Sequence, residues 1–153
     1  MNALRTIAAG AAAGAAGTAV LNGSTYVDMA VRGRPPNRLP QRMAQRMVTL
    51  AGFPPLGPHR ETGFGALFGY ADGLALGVAY ALARPKLRGV PLTVTGAVLG
   101  LATMVLSNGS AVALGEADPL QWPTAKWLSE LIPRCLYGWV TCAVLDRLIT
   151  SWS

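Results

Sequence analysis

Asp72 is the one charged side chain in the 21-residue run from Gly63 to Ala83, GFGALFGYADGLALGVAYALA. A run of that length and polarity can cross a hydrocarbon core. An ionised carboxyl near its centre costs about 3 kcal/mol unless something satisfies it. Two chemistries fit such a residue. One is a proton- or ion-linked site, the other a hydrogen-bonded carboxyl that fixes helix register. A proton path needs several ionisable groups in series, and here Asp28, Asp146 and Arg147 sit near the ends of apolar stretches. The structural role is therefore expected, with Asp72 facing the interior. Arg134 enters from the same side and is a candidate partner. An internal alignment described below places it nearer the surface, which leaves Asn22 and Asn108 as alternatives. Asn22, Ser24, Asp72, Ser107, Asn108 and Arg134 together form the candidate intramembrane polar set.

Other reactive residue types are sparse. Cys135 and Cys142 are seven residues apart on one face of a predicted helix, as expected of small buried thiols. The single histidine, His59, lies in the Pro-rich segment FPPLGPHR and is expected to be solvated. No CxxC, HExxH or Cys/His cluster is present, so no metal and no cofactor are expected. No nucleophile–base pair stands out, which argues against an enzyme. Tyr70, Tyr80, Tyr137 and Trp139 are expected as packing groups and interfacial anchors rather than the lining of a lipid or quinone cleft.

The elements that would hold these residues are apolar and rich in glycine. Hydrophobic residues make up 52% of the 153 and charged residues 13%, about half the charged share of a soluble domain. Gly65, Gly69, Gly73 and Gly77 recur every fourth position and so share one helical stripe. In a soluble helix each would cost roughly 1 kcal/mol against alanine. In lipid, small residues at that spacing let a second backbone approach closely, a glycine-zipper pattern. Gly10 and Gly14, and Gly96 and Gly100, repeat it elsewhere.

Four spans are predicted, at about 4–31, 63–83, 90–114 and 132–150, in a single all-α domain: an integral membrane four-helix bundle. The first could be read as a secretory signal, but its small residues recur at helical spacing, so a retained anchor is expected. Pro133 is expected to start the fourth span after a short interfacial helix, TAKWLSEL, and Trp152 to anchor at the far interface. In the first loop, Pro40 suits a helix start and Gly52 followed by Pro54 a helix end, predicting a helix over about 40–51. Its apolar face carries Met43, Met47, Val48 and Ala51. Two readings stay open: an amphipathic helix in the headgroup region, with Arg38, Arg42 and Arg46 reaching lipid phosphates, or a loop helix packed on its own bundle. The net charge of +6 lies mostly in loops flanking the apolar spans, so anionic lipid headgroups, not nucleic acid, are the expected partner. Basic residues flank both sides, and orientation stays open.

The sequence also reads as an internal repeat. Gly17–Leu21 followed by Asn22-Gly23-Ser24 resembles Ala102–Leu106 followed, after Ser107, by Asn108-Gly109-Ser110. Leu67-Phe68-Gly69-Tyr70 matches Leu136-Tyr137-Gly138-Trp139. Two equivalent hairpins would be related by an axis along the membrane normal. The NGS runs either end their helices or continue them, with continuation preferred for the first.

AGTAVLN at Ala16–Asn22, RGRPP at Arg32–Pro36, LFGYADGLALGVAYAL at Leu67–Leu82 and CLYGWVTCAV at Cys135–Val144 resemble the YagU-like group of small multi-span bacterial inner membrane proteins and their actinobacterial relatives. The resemblance covers less than half the chain. It implies a bacterial plasma-membrane protein and brings no activity with it. Members of that group often carry a histidine near the start of the second and fourth spans. Thr62 and Arg134 stand in those regions here, so no role for such a histidine carries over. The functional expectation is a non-enzymatic membrane protein that associates with other transmembrane helices, as an accessory subunit or a homo-oligomer. The alternative is a small proton- or ion-linked transporter or channel built on the polar band around Asp72.

Overall fold

The structure, a computed structural model, describes residues 2–151; Trp152, the expected interfacial anchor, lies outside them. Among the described residues there are five α-helices and no strand. They are α1 (Ala3–Arg32), α2 (Leu39–Leu50), α3 (Pro58–Ala83), α4 (Leu92–Ala113) and α5 (Thr124–Ser151), with short 3₁₀ turns at Arg84–Leu87 and Pro119–Gln121. Three helical segments, Ala3–Arg32, Pro58–Leu87 and Leu92–Ala113, are long and apolar enough to cross a membrane.

Local sequence accounts for the ends. Asn2 caps α1, its side chain accepting from the Arg5 amide at 2.9 Å. Pro58 stands at the start of α3, where its missing N–H is not needed. α2 closes through Gly52 (φ 81°), with Phe53 N donating to Val48 O at 3.1 Å. α4 closes the same way through Gly115 (φ 74°), with Glu116 N on Ala111 O at 2.8 Å. Both are Schellman-type ends, which need a left-handed residue and so favour glycine.

Both NGS runs lie within uninterrupted helix: α1 continues through Gly23 and α4 through Gly109. The first loop helix forms at Leu39–Leu50 with Pro40 in its first turn. It packs on α3, with Leu39 and Ala44 buried and Met47 and Leu50 left exposed.

α5 departs from expectation. It is one continuous helix from Thr124, with Pro133 buried inside it rather than at the start of a span. The ring removes one backbone bond. The next residue, Arg134, folds back and donates from Nη1 to Glu130 O at 3.0 Å.

α1 packs extensively against both α3 and α5, and α4 packs extensively against α5, whereas α3 makes few contacts with α4 or α5. The order across the molecule is therefore α3, α1, α5, α4. Residue pairings run antiparallel: Gly10 lies by Val78 and Gly14 by Gly73 and Leu74, Gly17 by Tyr137 and Thr141, and Gly96 by Trp139 with Gly100 by Arg134. The buried core is small-sided: Ala9, Ala13 and Ala81 join Tyr80, Leu99, Tyr137, Cys142 and Leu145.

Candidate functional site

The helices meet backbone to backbone. A Cβ on Gly10 would lie 2.7 Å from Val78 Cα, and one on Gly77 would lie 2.6 Å from Gly14 Cα. Gly73 has Thr18 pressed against it, and Thr18 turns its hydroxyl onto its own helix, donating to Gly14 O at 2.8 Å. On the other flank of α1, Gly17 abuts Tyr137 and Thr141 of α5. The α4–α5 crossing rests on Gly96, Gly100 and Gly138, where a Cβ on Gly138 would meet the Gly96 carbonyl and lie 2.7 Å from Gly100 N. Tyr137 ties three helices together: beside Gly17 of α1, its hydroxyl donates to Gly73 O of α3 at 2.6 Å.

The predicted glycine stripe on α3 divides. Gly73 and Gly77 face α1, Gly65 faces Pro40 and Gln41 of α2, and Gly69 has nothing within 4 Å. The internal alignment equates Gly69 with Gly138, yet Gly138 sits at a helix crossing and Gly69 at an open surface. Gly17 and Gly138 are contact glycines absent from the predicted packing set. Gly17 ends the AGTAVLN-bearing row of small residues begun by Gly10 and Gly14, and that period of three to four residues was its signal.

Each end of the helix array carries ion pairs. At the turn end, Arg84 makes a bidentate pair with Asp146, Nε to Oδ1 at 2.8 Å and Nη2 to Oδ2 at 3.0 Å. That geometry joins the α3 terminus to α5 with two charge-assisted bonds. At the loop end, Arg34 and Arg32 both reach Asp28, and Arg32 Nη1 also donates to Ser129 Oγ at 2.9 Å. Asn37 Nδ2 donates to Glu130 Oε1 at 3.2 Å. Arg134 pairs with Glu130 and sends Nη2 to Ser107 Oγ at 3.3 Å. A cavity of about 280 Å³ opens beside this network, lined by Asn37, Arg42, Glu116, Asp118, Trp122, Lys126 and Glu130 among others. Of the three arginines expected at headgroups, all are exposed, and Arg42 lies 4.0 Å from Glu116.

Asp72 is not where the sequence reading put it. It is exposed, and it makes no hydrogen bond or ion pair among the described residues. The reason is rotational. Gly73 and Gly77 must face α1 for the backbones to touch, and the residue one position earlier is turned about 100° away. Arg134 is engaged by Glu130 and Ser107 instead. The amides are not its partners either. Asn22 is half-buried, while Asn108 is 6% exposed with neither Oδ1 nor Nδ2 hydrogen-bonded. Ser24 is spent locally, donating to Leu21 O at 2.9 Å. The polar set thus splits into a loop-end network (Ser107, Arg134), an isolated buried amide (Asn108) and an outward carboxyl (Asp72).

Cys135 and Cys142 are free thiols, half-buried and buried. Among the described residues no group of three His, Cys, Asp or Glu side chains gathers. Trp139 is 40% exposed and donates from Nε1 to Thr93 O at 3.0 Å, and Tyr70 is 47% exposed, whereas Tyr80 and Tyr137 are in the core, so the four aromatics share no cleft. Comparison with family models, with curated proteins and with solved structures finds no match for this chain.

Proposed function

We propose that this chain is a bacterial plasma-membrane protein that crosses the lipid four times and works by associating with other transmembrane helices, without catalysis. The observation that carries this reading is Asp72: midway along α3, exposed, and without a hydrogen bond or ion pair among the described residues. A bare carboxyl at that depth is expensive, so the chain is incomplete by itself. Exposed Phe64, Phe68, Val98, Leu101 and Val105 suit lipid or another helix equally.

α5 is not among the helices long and apolar enough to cross by composition alone, and the fourth crossing therefore rests on how its charges are met. Arg134 pairs with Glu130, and Asp146 with Arg84. Between them runs the apolar segment Cys135–Leu145 that packs between α1 and α4. The resemblance to YagU-like proteins supports the bacterial membrane setting.

The transporter reading is weaker. It needs Asn22, Asp72 and Asn108 to converge on one path, and they sit on three helices with no hydrogen bond joining them. Chemical crosslinking of intact membranes followed by native electrophoresis in mild detergent tests the association. The expected result is a species larger than one chain. A strictly monomeric protein that copurifies with nothing defeats the proposal.

A further inference from the structure

We infer that the loop-end cavity binds the headgroup of a lipid carrying both a phosphate and a primary ammonium, the phosphatidylethanolamine class. The inference rests on the membrane placement proposed above and not on helix association. Three separate parts of the chain wall this space of about 280 Å³: Arg42 of α2, Glu116 and Asp118 after α4, and Trp122 with Lys126 where α5 begins.

The charged groups that still lack a close partner select the ligand. Asp118 is engaged locally, with Oδ1 accepting from Leu120 N at 3.1 Å and Oδ2 from Gln121 Nε2 at 2.7 Å. Glu130 accepts from Asn37 and pairs with Arg134. Glu116 is different. Its ion-pair partner, Arg42 Nε, stands 4.0 Å away, outside hydrogen-bond reach. Lys126 pairs with no carboxylate among the described residues, and its ammonium lies over the Trp122 ring, 4.1 Å from the centroid. Two cations and one carboxylate therefore keep free hydrogen-bonding capacity around one space. A phosphate suits Arg42 and Lys126, and an N–H cation suits Glu116. A quaternary ammonium has no N–H to give Glu116, and Lys126 already covers the aromatic face that would recognise one.

The surroundings favour a lipid over a free zwitterion. Leu120, next to the cavity-lining Gln121, is 97% exposed. Trp127, whose ring lies 5.3 Å from that of Trp122, is 41% exposed. Open apolar groups beside a charged cavity suit acyl chains, and tryptophan concentrates at the interface where headgroups lie.

Native mass spectrometry of the delipidated whole chain in detergent tests this. The probes are short-chain phosphatidylethanolamine, phosphatidylcholine and phosphatidylglycerol, and free phosphoethanolamine. Phosphatidylethanolamine should bind about tenfold tighter than the other two lipids, the scale of one hydrogen bond to a charged group. Glu116→Gln should erase that preference without weakening phosphatidylglycerol. Lys126→Gln should weaken all three lipids, and Arg46→Gln, on α2 outside the cavity, none of them. Circular dichroism checks that each variant keeps its helices. Equal affinity for the three lipids in the unaltered protein, or a preference that survives Glu116→Gln, overturns the inference. Free phosphoethanolamine binding as tightly as the lipid overturns the lipid source. The same spectra count chains per particle, so a monomer that keeps the lipid preference supports this site and defeats association alone.

Discussion

Asn108 is a test of how the interior tolerates polarity. Its amide is buried, and neither polar atom has a hydrogen-bond partner among the described residues. An unsatisfied buried amide costs about 1–3 kcal/mol. Leucine has the same branching at the γ position, so Asn108→Leu should raise the thermal midpoint in detergent by the equivalent of about 1 kcal/mol. A lowered midpoint would mean that the amide has a partner, and would reopen a functional role for it. Tyr137 presents the opposite case. Its hydroxyl is paired with Gly73 O across the α3–α5 gap, and Tyr137→Phe leaves that carbonyl its helical bond but removes the tie. A loss of about 1 kcal/mol is expected in the same melting experiment, and no change would show that the α1 contacts alone hold α3.

At the scale of the element, the helices fall into two kinds of glycine. Gly138 lies against the backbone of α4, and nothing there can yield except the helix itself. Gly109 has nothing within 4 Å. Gly138→Ala should therefore destabilise by about 1–3 kcal/mol, as overpacking of a tight interface does. Gly109→Ala should be neutral or mildly stabilising, since alanine is the better helix former. Equal effects of the two in thermal unfolding would defeat the backbone-contact account. α5 starts well before Pro133, although in sequence that proline reads as its boundary. Proline before a span looks like a boundary, because it cannot donate to the preceding turn. Here the segment before Pro133 is carried along as helix by contacts from elsewhere, Arg32 on Ser129 and Asn37 on Glu130, and by Arg134 of the same helix folding back onto Glu130.

For the whole molecule, the antiparallel sequence α1, α3, α4, α5 places the start of α1, the Arg84–Leu87 turn and the end of α5 at one end. If all four helices cross, reporter tags at the two termini should be accessible from the same side of sealed membrane vesicles. Tags on opposite sides would remove α5 from the set of crossings. The Arg84–Asp146 pair closes that end and the Asp28–Arg32–Ser129 and Asn37–Glu130–Arg134 contacts close the other.

The long apolar runs, their glycine spacing and the capping residues are local properties, and from them the all-helical class, three lipid-length helices and the loop helix near residues 40–51 were legible. A helix forms wherever its own backbone bonds and side chains favour it, so adjacent residues suffice to foretell it. Rotation about each helix axis is different, because it is chosen by the neighbour. Gly73 and Gly77 turned to α1, and that single choice moved Asp72 outward. Only the packed chain could decide it, since the energy that fixes the rotation comes from residues some sixty positions away in sequence.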